Sequence, residues 1–337
     1  MTSNKPASGQ RPRRVTAADV AKVAGVSRSA VSRAFTQGAY IDAEKRALIL
    51  KAADDLGYQP NALAAGLKGG PSNLVAIFLG DMPNTYDKDV ATRLALGLNA
   101  AGKWPIMVGG SDDVARHAIE NVLRYPLDAM ILRSGSLAED IALSCTKLGV
   151  PLISSGRIID LPGIDSICVR NTDGMRTVTE LLIARGRQRF GFIGGPPEFW
   201  SSAKRRAGVI TALDGAGLAL LAEEAGDFSV PGGYEAARRL LERGPFDALV
   251  CANDAMAIGA MSYLREIGVS IPDDVAVTGF DNIDMAAWPI YQLTTIHNPI
   301  DEMVDSVTGI LDRRARDPGK PDETIWLDAA LVKRSSH

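Results

Sequence analysis

Residues 15–35, VTAADVAKVAGVSRSAVSRAF, read as two short helices joined by a tight turn. Ala18, Val20, Ala21 and Val23 give the first helix a small apolar face, with Asp19 and Lys22 turned outward. Gly25 supplies the backbone freedom a helix C-terminus needs, since glycine adopts positive φ at little cost. Val26 plugs the angle between the helices, and Ser27 is a good N-cap for the second. Ala30, Val31 and Ala34 hold that second helix onto the first at i, i+1, i+4 spacing. Arg28, Ser29, Ser32 and Arg33 are left on an open face, with donors suited to base edges and phosphates. The stretch is either a helix-turn-helix or an ordinary pair of helices with a solvated polar face.

Working outward, 43–56 (AEKRALILKAADDL) predicts a third amphipathic helix that buries Ala47, Leu48, Ile49, Ala52 and Leu56. GYQPN at 57–61 stops it, and a short apolar piece follows at 62–67. Upstream, MTSNKPASGQRPRR has basic residues with no apolar segment after them, which is not the pattern of a signal peptide. This arm, 1–14, either adds phosphate contacts through Arg11, Arg13 and Arg14 or is a tail without a role.

Net charge is informative once divided. The chain of 337 residues carries −3, but residues 1–70 hold eleven Lys and Arg against five Asp and Glu. A basic head on an acidic body fits polyanion binding at one end. No apolar run approaches the length needed to cross a bilayer. Cys145, Cys168 and Cys251 are too far apart for a disulfide framework or a metal site, so the expected location is a reducing cytoplasm.

From residue 74 the pattern changes. Apolar runs at 74–79, 105–108, 129–132, 151–154 and 166–169 alternate with helical stretches near 88–101, 113–124 and 138–148. A second series places strands at 189–193, 248–252 and 275–279 among helices near 173–185, 202–216, 232–243 and 254–267. Such alternation predicts α/β lobes, each a doubly wound parallel sheet covered on both faces. Ligands of open α/β sheets sit beyond the carboxyl ends of the strands. Asp81, Arg157, Asn253 with Asp254, and Asp281 occupy such positions, although Asp254 equally suits a helix cap. Tyr86, Trp200 and Trp288 are candidates on pocket chemistry alone, and Gly194-Gly195 is read as a tight loop.

The run from 15 to 67 resembles the DNA-binding head of the lactose/galactose-repressor family of bacterial transcription regulators. Val15-Thr16, Asp19-Val20-Ala21, Ala24-Gly25-Val26-Ser27, Val31-Ser32-Arg33, Leu56-Gly57-Tyr58, Pro60-Asn61 and Leu67 carry the likeness. The resemblance implies base reading by Arg28 and Ser29, a guanine or phosphate contact by Arg33, and phosphate contacts by Thr16, Ser27, Ser32 and Asn61. It implies a helix-turn-helix domain at 15–60. At 61–72 it implies a hinge helix and linker, with Ala64 on the DNA and Leu67 wedged into the minor groove. Gly66, Gly69 and Gly70 fit a plain linker as well. Ala30, Ala65 and Arg170 stand where the family usually has Thr, Arg and Asp.

For the remainder, 73–337, the resemblance implies a core similar to periplasmic sugar-binding proteins. Lobe 1 would span about 73–169 plus 299–327, and lobe 2 about 171–295 plus 329–337. Crossings are expected near 169–171, 295–299 and 327–329. Arg205, in an Arg-x-x-Gly spacing, Asn253, Asp281 and the aromatic Phe228 match the family's effector contacts, and Phe228 equally suits a core position. The partners implied are double-stranded operator DNA, a small sugar-like effector and a second copy of the chain. The tail LVKRSSH has no apolar heptads, so a dimer without a tetramer-forming coiled coil is expected. No cofactor is implied.

Enzyme chemistry finds little support. There is no G-x-G-x-x-G after a strand and no G-x-x-x-x-G-K-[ST], and His117, His297 and His337 lie in no triad or metal spacing. An exported solute-binding protein would have no use for residues 15–67.

Overall fold

The structure, a computed structural model, describes residues 13–36, 38–60, 71–80, 85–110, 112–133 and 138–337. The expectations for Arg11, for 61–70 (Asn61, Ala64, Gly66 and Leu67 among them) and for Asp81 lie outside the described residues. The chain divides between Ser72 and Asn73 into two compact units.

The first unit holds α1 (Ala17–Val23), α2 (Arg28–Ala34) and α3 (Ala43–Asp55). Its core is Val20, Ala21, Ala24, Val31, Ala34, Ile49, Ala52 and Ala53. Val20, Ala21 and Ala24 in α1, and Ile49, Ala52 and Ala53 in α3, lie one, three or four residues apart, so each helix offers one narrow stripe. Ala18, Val23, Ala47 and Leu48, expected inside, are exposed. At 100° per residue they lie off that stripe, and Ala17 and Ala24 fill the inward positions instead. Gly25 has φ +64°, and the Val26 N–H donates back to the Ala21 carbonyl at 2.9 Å. Gly57 and Tyr58 repeat the arrangement at the end of α3, where Tyr58 N–H reaches Ala53 O at 2.8 Å. Both are Schellman closures, in which a left-handed residue lets the chain satisfy the last helical carbonyls. Tyr58 then meets Phe35 edge-on, with centroids 5.7 Å apart.

In the second unit, β1 (Leu74–Gly80), β2 (Trp104–Gly109), β3 (Ala129–Arg133), β4 (Leu152–Ser155), β5 (Ile164–Val169) and the late strand β11 (Thr324–Leu327) form a parallel sheet. Their order is β11-β5-β4-β3-β1-β2. Successive side chains leave opposite faces of a strand. Val75, Ile77 and Ile131 therefore pack under α4 (Thr85–Ala100) and α11 (Ile300–Arg316). Ala76, Phe78, Met130 and Leu132 pack against α5 (Asp112–Val122) and α6 (Ala138–Leu148) on the other side.

The second sheet, β7-β6-β8-β9, is also parallel and comprises β6 (Phe190–Gly194), β7 (Leu220–Ala225), β8 (Ala248–Cys251) and β9 (Ala276–Thr278). The helices α7 (Asn171–Ala184), α8 (Trp200–Gly215), α9 (Val230–Glu242) and α10 (Asp254–Glu266) accompany it. An antiparallel ribbon of β10 (Thr295–His297) and β12 (Ala330–Val332) completes this lobe. The chain passes between lobes at 169–171, 297–300 and 327–330. Arg170 N–H donates to Leu327 O at 3.0 Å, which ties the first and third passages together. Gly174 on α7 has Ile296 and Ala329 against it, so that a methyl there would stand 2.9 Å from each.

Five elements were absent from the sequence expectations: β7, α11, β11 and the strands β10 and β12 that flank the crossings.

Candidate functional site

In the head, α2 presents Arg28, Ser29, Ser32 and Arg33 to solvent. Among the described residues no carboxylate pairs with Arg28 or Arg33, so both guanidiniums are available to a polyanion. The hydroxyls differ. Ser27 Oγ caps α2 by accepting Ala30 N–H at 3.2 Å and shares a 2.8 Å hydrogen bond with Ser29 Oγ. Thr16 Oγ1 donates to Asp19 Oδ2 at 2.7 Å, and Thr16 N–H reaches the same oxygen at 2.9 Å. Thr16 and Ser27, expected on phosphates, are thus engaged in holding helix N-termini, and the Asp19 carboxyl is kept below its ordinary range by those Thr16 bonds.

In the core, the strand ends of both sheets face a cleft between the lobes that is open to solvent and holds about 840 Å³ of free space, the solvent at its mouth included. Arg205, Asp281, Asn253, Phe228 and Tyr86, all expected there, line it together. Arg205 sits at the second turn of α8 and is buried. Its Nε donates to Asn171 Oδ1 at 2.8 Å, Nη1 to Ala252 O at 2.7 Å and Nη2 to Asp281 Oδ1 at 3.3 Å. The flat face of the guanidinium lies 3.8 Å from the Phe280 ring centroid. Asp281 has φ +117° and also accepts Asn298 Nδ2 at 3.0 Å. Burial pushes its carboxyl up to about 6, against the opposing pull of Arg205. Burial likewise raises the Tyr86 hydroxyl, which stays a neutral hydrogen-bonding group.

Asn253 is the N-cap of α10: its Oδ1 accepts Met256 N–H at 2.9 Å, while Nδ2 donates to the Phe228 carbonyl at 3.1 Å. Asp254, expected to cap, lies one residue inside the helix. Its carboxylate takes Ile283 N–H at 2.9 Å and Thr295 Oγ1 at 2.5 Å, fastening α10 to the strand that leads out of the lobe. Burial first and Asp281 second raise its pKa well above the ordinary carboxylate range. Phe228, at φ +64°, stands edge-on to Phe199 with centroids 5.6 Å apart. Its ring occupies the space a side chain on Gly195 would need, so Gly195 serves close approach rather than a tight turn.

Other expectations fall outside the cleft. Arg157 does not line it: β4 delivers Ser155 and Gly156 to the wall, and Gly156 at φ +102° turns the chain away before Arg157. Trp200 opens α8 with Lys204 5.3 Å above its ring, facing a separate hollow beside Arg170 and Trp326, while the preceding Phe199 takes the cleft position. Trp288 is half exposed and lines no part of the wall. Arg170 pairs with Asp328 at 3.3 Å, outside the cleft as well. Sequence reasoning missed Asp87, Arg133, Ser155, Asn171 and Asn298. Arg133 and Ser155 end their strands one residue beyond the expected boundaries, and the strand-end rule applied there would have found both.

Nucleophilic and metal chemistry gain nothing from the geometry. Burial pushes the Cys145 and Cys168 thiols up to about 12 and Cys251 further. Among the described residues no group of His, Cys, Asp and Glu is placed to hold a metal ion, and no helix is long and apolar enough to cross a membrane.

Residues 16–61 match the family model "Bacterial regulatory proteins, lacI family", and residues 179–337 match "Periplasmic binding protein-like domain". The HTH-type transcriptional regulator GalS of Salmonella typhimurium is 32% identical over 331 residues, covering 96% of each chain. A crystal structure of the lac repressor dimer bound to operator and the anti-inducer ONPF superposes with a TM-score of 0.87 at 27% identity, covering 96% of this chain and 99% of that one. The transcriptional regulator CelR in complex with cellobiose gives 0.74 at 25% identity, covering 96% and 100%. A helix-turn-helix head, a two-lobed core with a polar cleft and this likeness over nearly the full length agree: the chain belongs to the LacI family of bacterial transcription regulators.

Proposed function

We propose that the protein is a cytoplasmic repressor that binds a near-palindromic operator as a homodimer and is released when a small polyhydroxylated effector enters the cleft. One head covers one half-site, so specific binding calls for two copies related by the symmetry of the DNA. The observation that carries the reading is the buried Arg205–Asp281–Asn298–Asn171 cluster inside a cleft between lobes. Such a set offers donors and acceptors in fixed directions to ring hydroxyls, with Phe228 as an apolar plate. The lac repressor's operator complex and CelR's cellobiose complex support the two halves of the reading.

In the head, Arg28, Ser29 and Arg33 are assigned to base edges and Ser32 to phosphate. Asn61 is assigned to phosphate, and Ala64 and Leu67 to the hinge and minor groove. Thr16 and Ser27 are reassigned to capping. No catalytic step is assigned to the chain.

The test begins with an operator selected from a random-sequence library, followed by competition binding. Arg28→Ala should lose about 1–3 kcal/mol of discrimination at one base pair per half-site, the worth of a bidentate base contact. Equal weakening on operator and random DNA would remove Arg28 from base reading.

A further inference from the structure

A guanidinium carries five N–H donors in a planar fork and stays charged, so a buried arginine is normally held by several close acceptors. Arg205 is held in this way, and so is Arg314, which reaches Asp165 at 2.9 and 3.2 Å, Asp322 at 2.6 Å and the Lys320 carbonyl at 2.8 Å. Arg133 is not. It is the last residue of β3, its side chain is 11% exposed, and it lines the cleft. Its partners among the described residues are Ser155 Oγ at 3.3 Å and Asp87 Oδ1 at 3.5 Å, both at the long end of hydrogen bonding. Nε has no partner among the described residues, and the Tyr86 ring centroid lies 6.0 Å from Cζ.

Arg133 and Asp87 belong to the same lobe, on β3 and α4, so their contact is no latch between lobes. Nor does Asp281 serve Arg133: both Arg133 hydrogen bonds go elsewhere, and Asp281 Oδ1 already takes Arg205 and Asn298. A neutral sugar closing over Arg133 would exclude solvent from the guanidinium while offering only hydroxyl acceptors and no counter-charge, and desolvating a charge paired only at long range is costly. An acid group on the ligand removes that cost, because carboxylates and phosphates match the fork in a bidentate manner.

Resting on the cleft as the effector site, the geometry points to Arg133 as the residue that selects an anionic effector: a polyhydroxylated ring bearing a carboxylate or a phosphate. The acid group sits on the Arg133 fork, and the ring hydroxyls meet Arg205, Asp281 and Asn298.

Calorimetric titration of the full chain with paired probes tests this. Glucuronate is set against glucose and galacturonate against galactose, with the 6-phosphates of both neutral sugars as the second acid class. At least one acid should bind about tenfold or more tightly than its neutral parent, with the carboxylate and phosphate arms showing which acid the fork takes. Arg133→Gln should bring that ratio close to one, the roughly 10- to 100-fold loss expected of a charge-assisted contact. A preference that survives Arg133→Gln, neutral parents that bind as well as the acids, or no binding by any acid overturns the assignment. Arg205→Lys separates this inference from the reading beneath it, with Asn298→Ala as the substitute should that variant not fold. Loss of every probe, neutral or acid, retains the cleft as the site, and unchanged binding means that the cleft reading itself fails.

Discussion

At the scale of single residues the cleft is a compromise between burial and pairing, and Asp281 shows it most clearly. Its folded pKa of about 6 lies above the ordinary 3.8, so the folded chain holds this proton more tightly than the unfolded chain. The stabilisation is fully present below the unfolded value and is lost as pH rises through about 6. Asp281→Asn mimics the protonated form. Relative to that variant, the wild type should therefore lose about 1 kcal/mol between pH 5 and pH 7.5, readable as a change in the difference between the two melting temperatures. A difference independent of pH would mean that Arg205 fully offsets the burial. Glu323 behaves oppositely: Arg313 leads the interactions that hold its carboxyl down to about 2, so its stabilising effect fades only as pH falls from the ordinary 4.5 toward 2. Arg205, Phe228, Asn253 and Asp281 were legible in the cleft because strand ends and family spacing mark them, and Tyr86 on pocket chemistry alone. Arg133 and Ser155 were not, because each is polar and closes an apolar run, where periodicity alone cannot say whether the strand includes it. Asn171 and Asn298 gain their roles from the adjacency of the crossings, which no local pattern encodes.

At the scale of elements, helix contacts in the second lobe depend on glycine. A side chain on Gly233 in α9 would collide with the backbone of Met256 in α10, and one on Gly259 in α10 would collide with the Val230 carbonyl and Tyr234 N–H of α9. Alanine gains about 1 kcal/mol of helix propensity over glycine, but overpacking a rigid backbone contact costs about 1–3 kcal/mol or more. Gly233→Ala and Gly259→Ala should each lower the urea midpoint. Gly215, the last residue of α8, has open space where a methyl would go, so Gly215→Ala should raise the midpoint by an amount equivalent to about 0.5–1 kcal/mol. If all three variants moved together, propensity rather than interhelical contact would govern these positions. The buried parallel strands were legible because both faces are covered and their residues run continuously apolar. The edge strand β7, LLAEEA, alternates half-buried and exposed residues, and its Glu223-Glu224 pair disguises it, Glu223 facing outward and Glu224 held inward by Arg239 and Arg243. By contrast α11 carries a clear inward stripe of Met303, Val304, Val307, Ile310 and Leu311, a helical signal that the sequence reading passed over.

At the scale of the whole molecule, the chain joins a basic DNA-reading head to an acidic sensing core. Operator affinity should fall steeply with salt, because phosphate contacts release counterions in proportion to the charges they neutralise. Regulation is a coupling free energy: an effector shifts DNA affinity only as far as it prefers one core conformation, commonly by about 1–3 kcal/mol. The most direct measurement titrates the selected operator by fluorescence anisotropy against wild type and Asp281→Ala, each with and without a sugar that raises the wild-type melting temperature. The account predicts that the ligand weakens wild-type binding by about tenfold or more, whereas Asp281→Ala binds operator like the ligand-free wild type and does not respond. An Asp281→Ala variant that responds in full, or a wild type whose operator affinity is unmoved by a ligand it demonstrably binds, would contradict it.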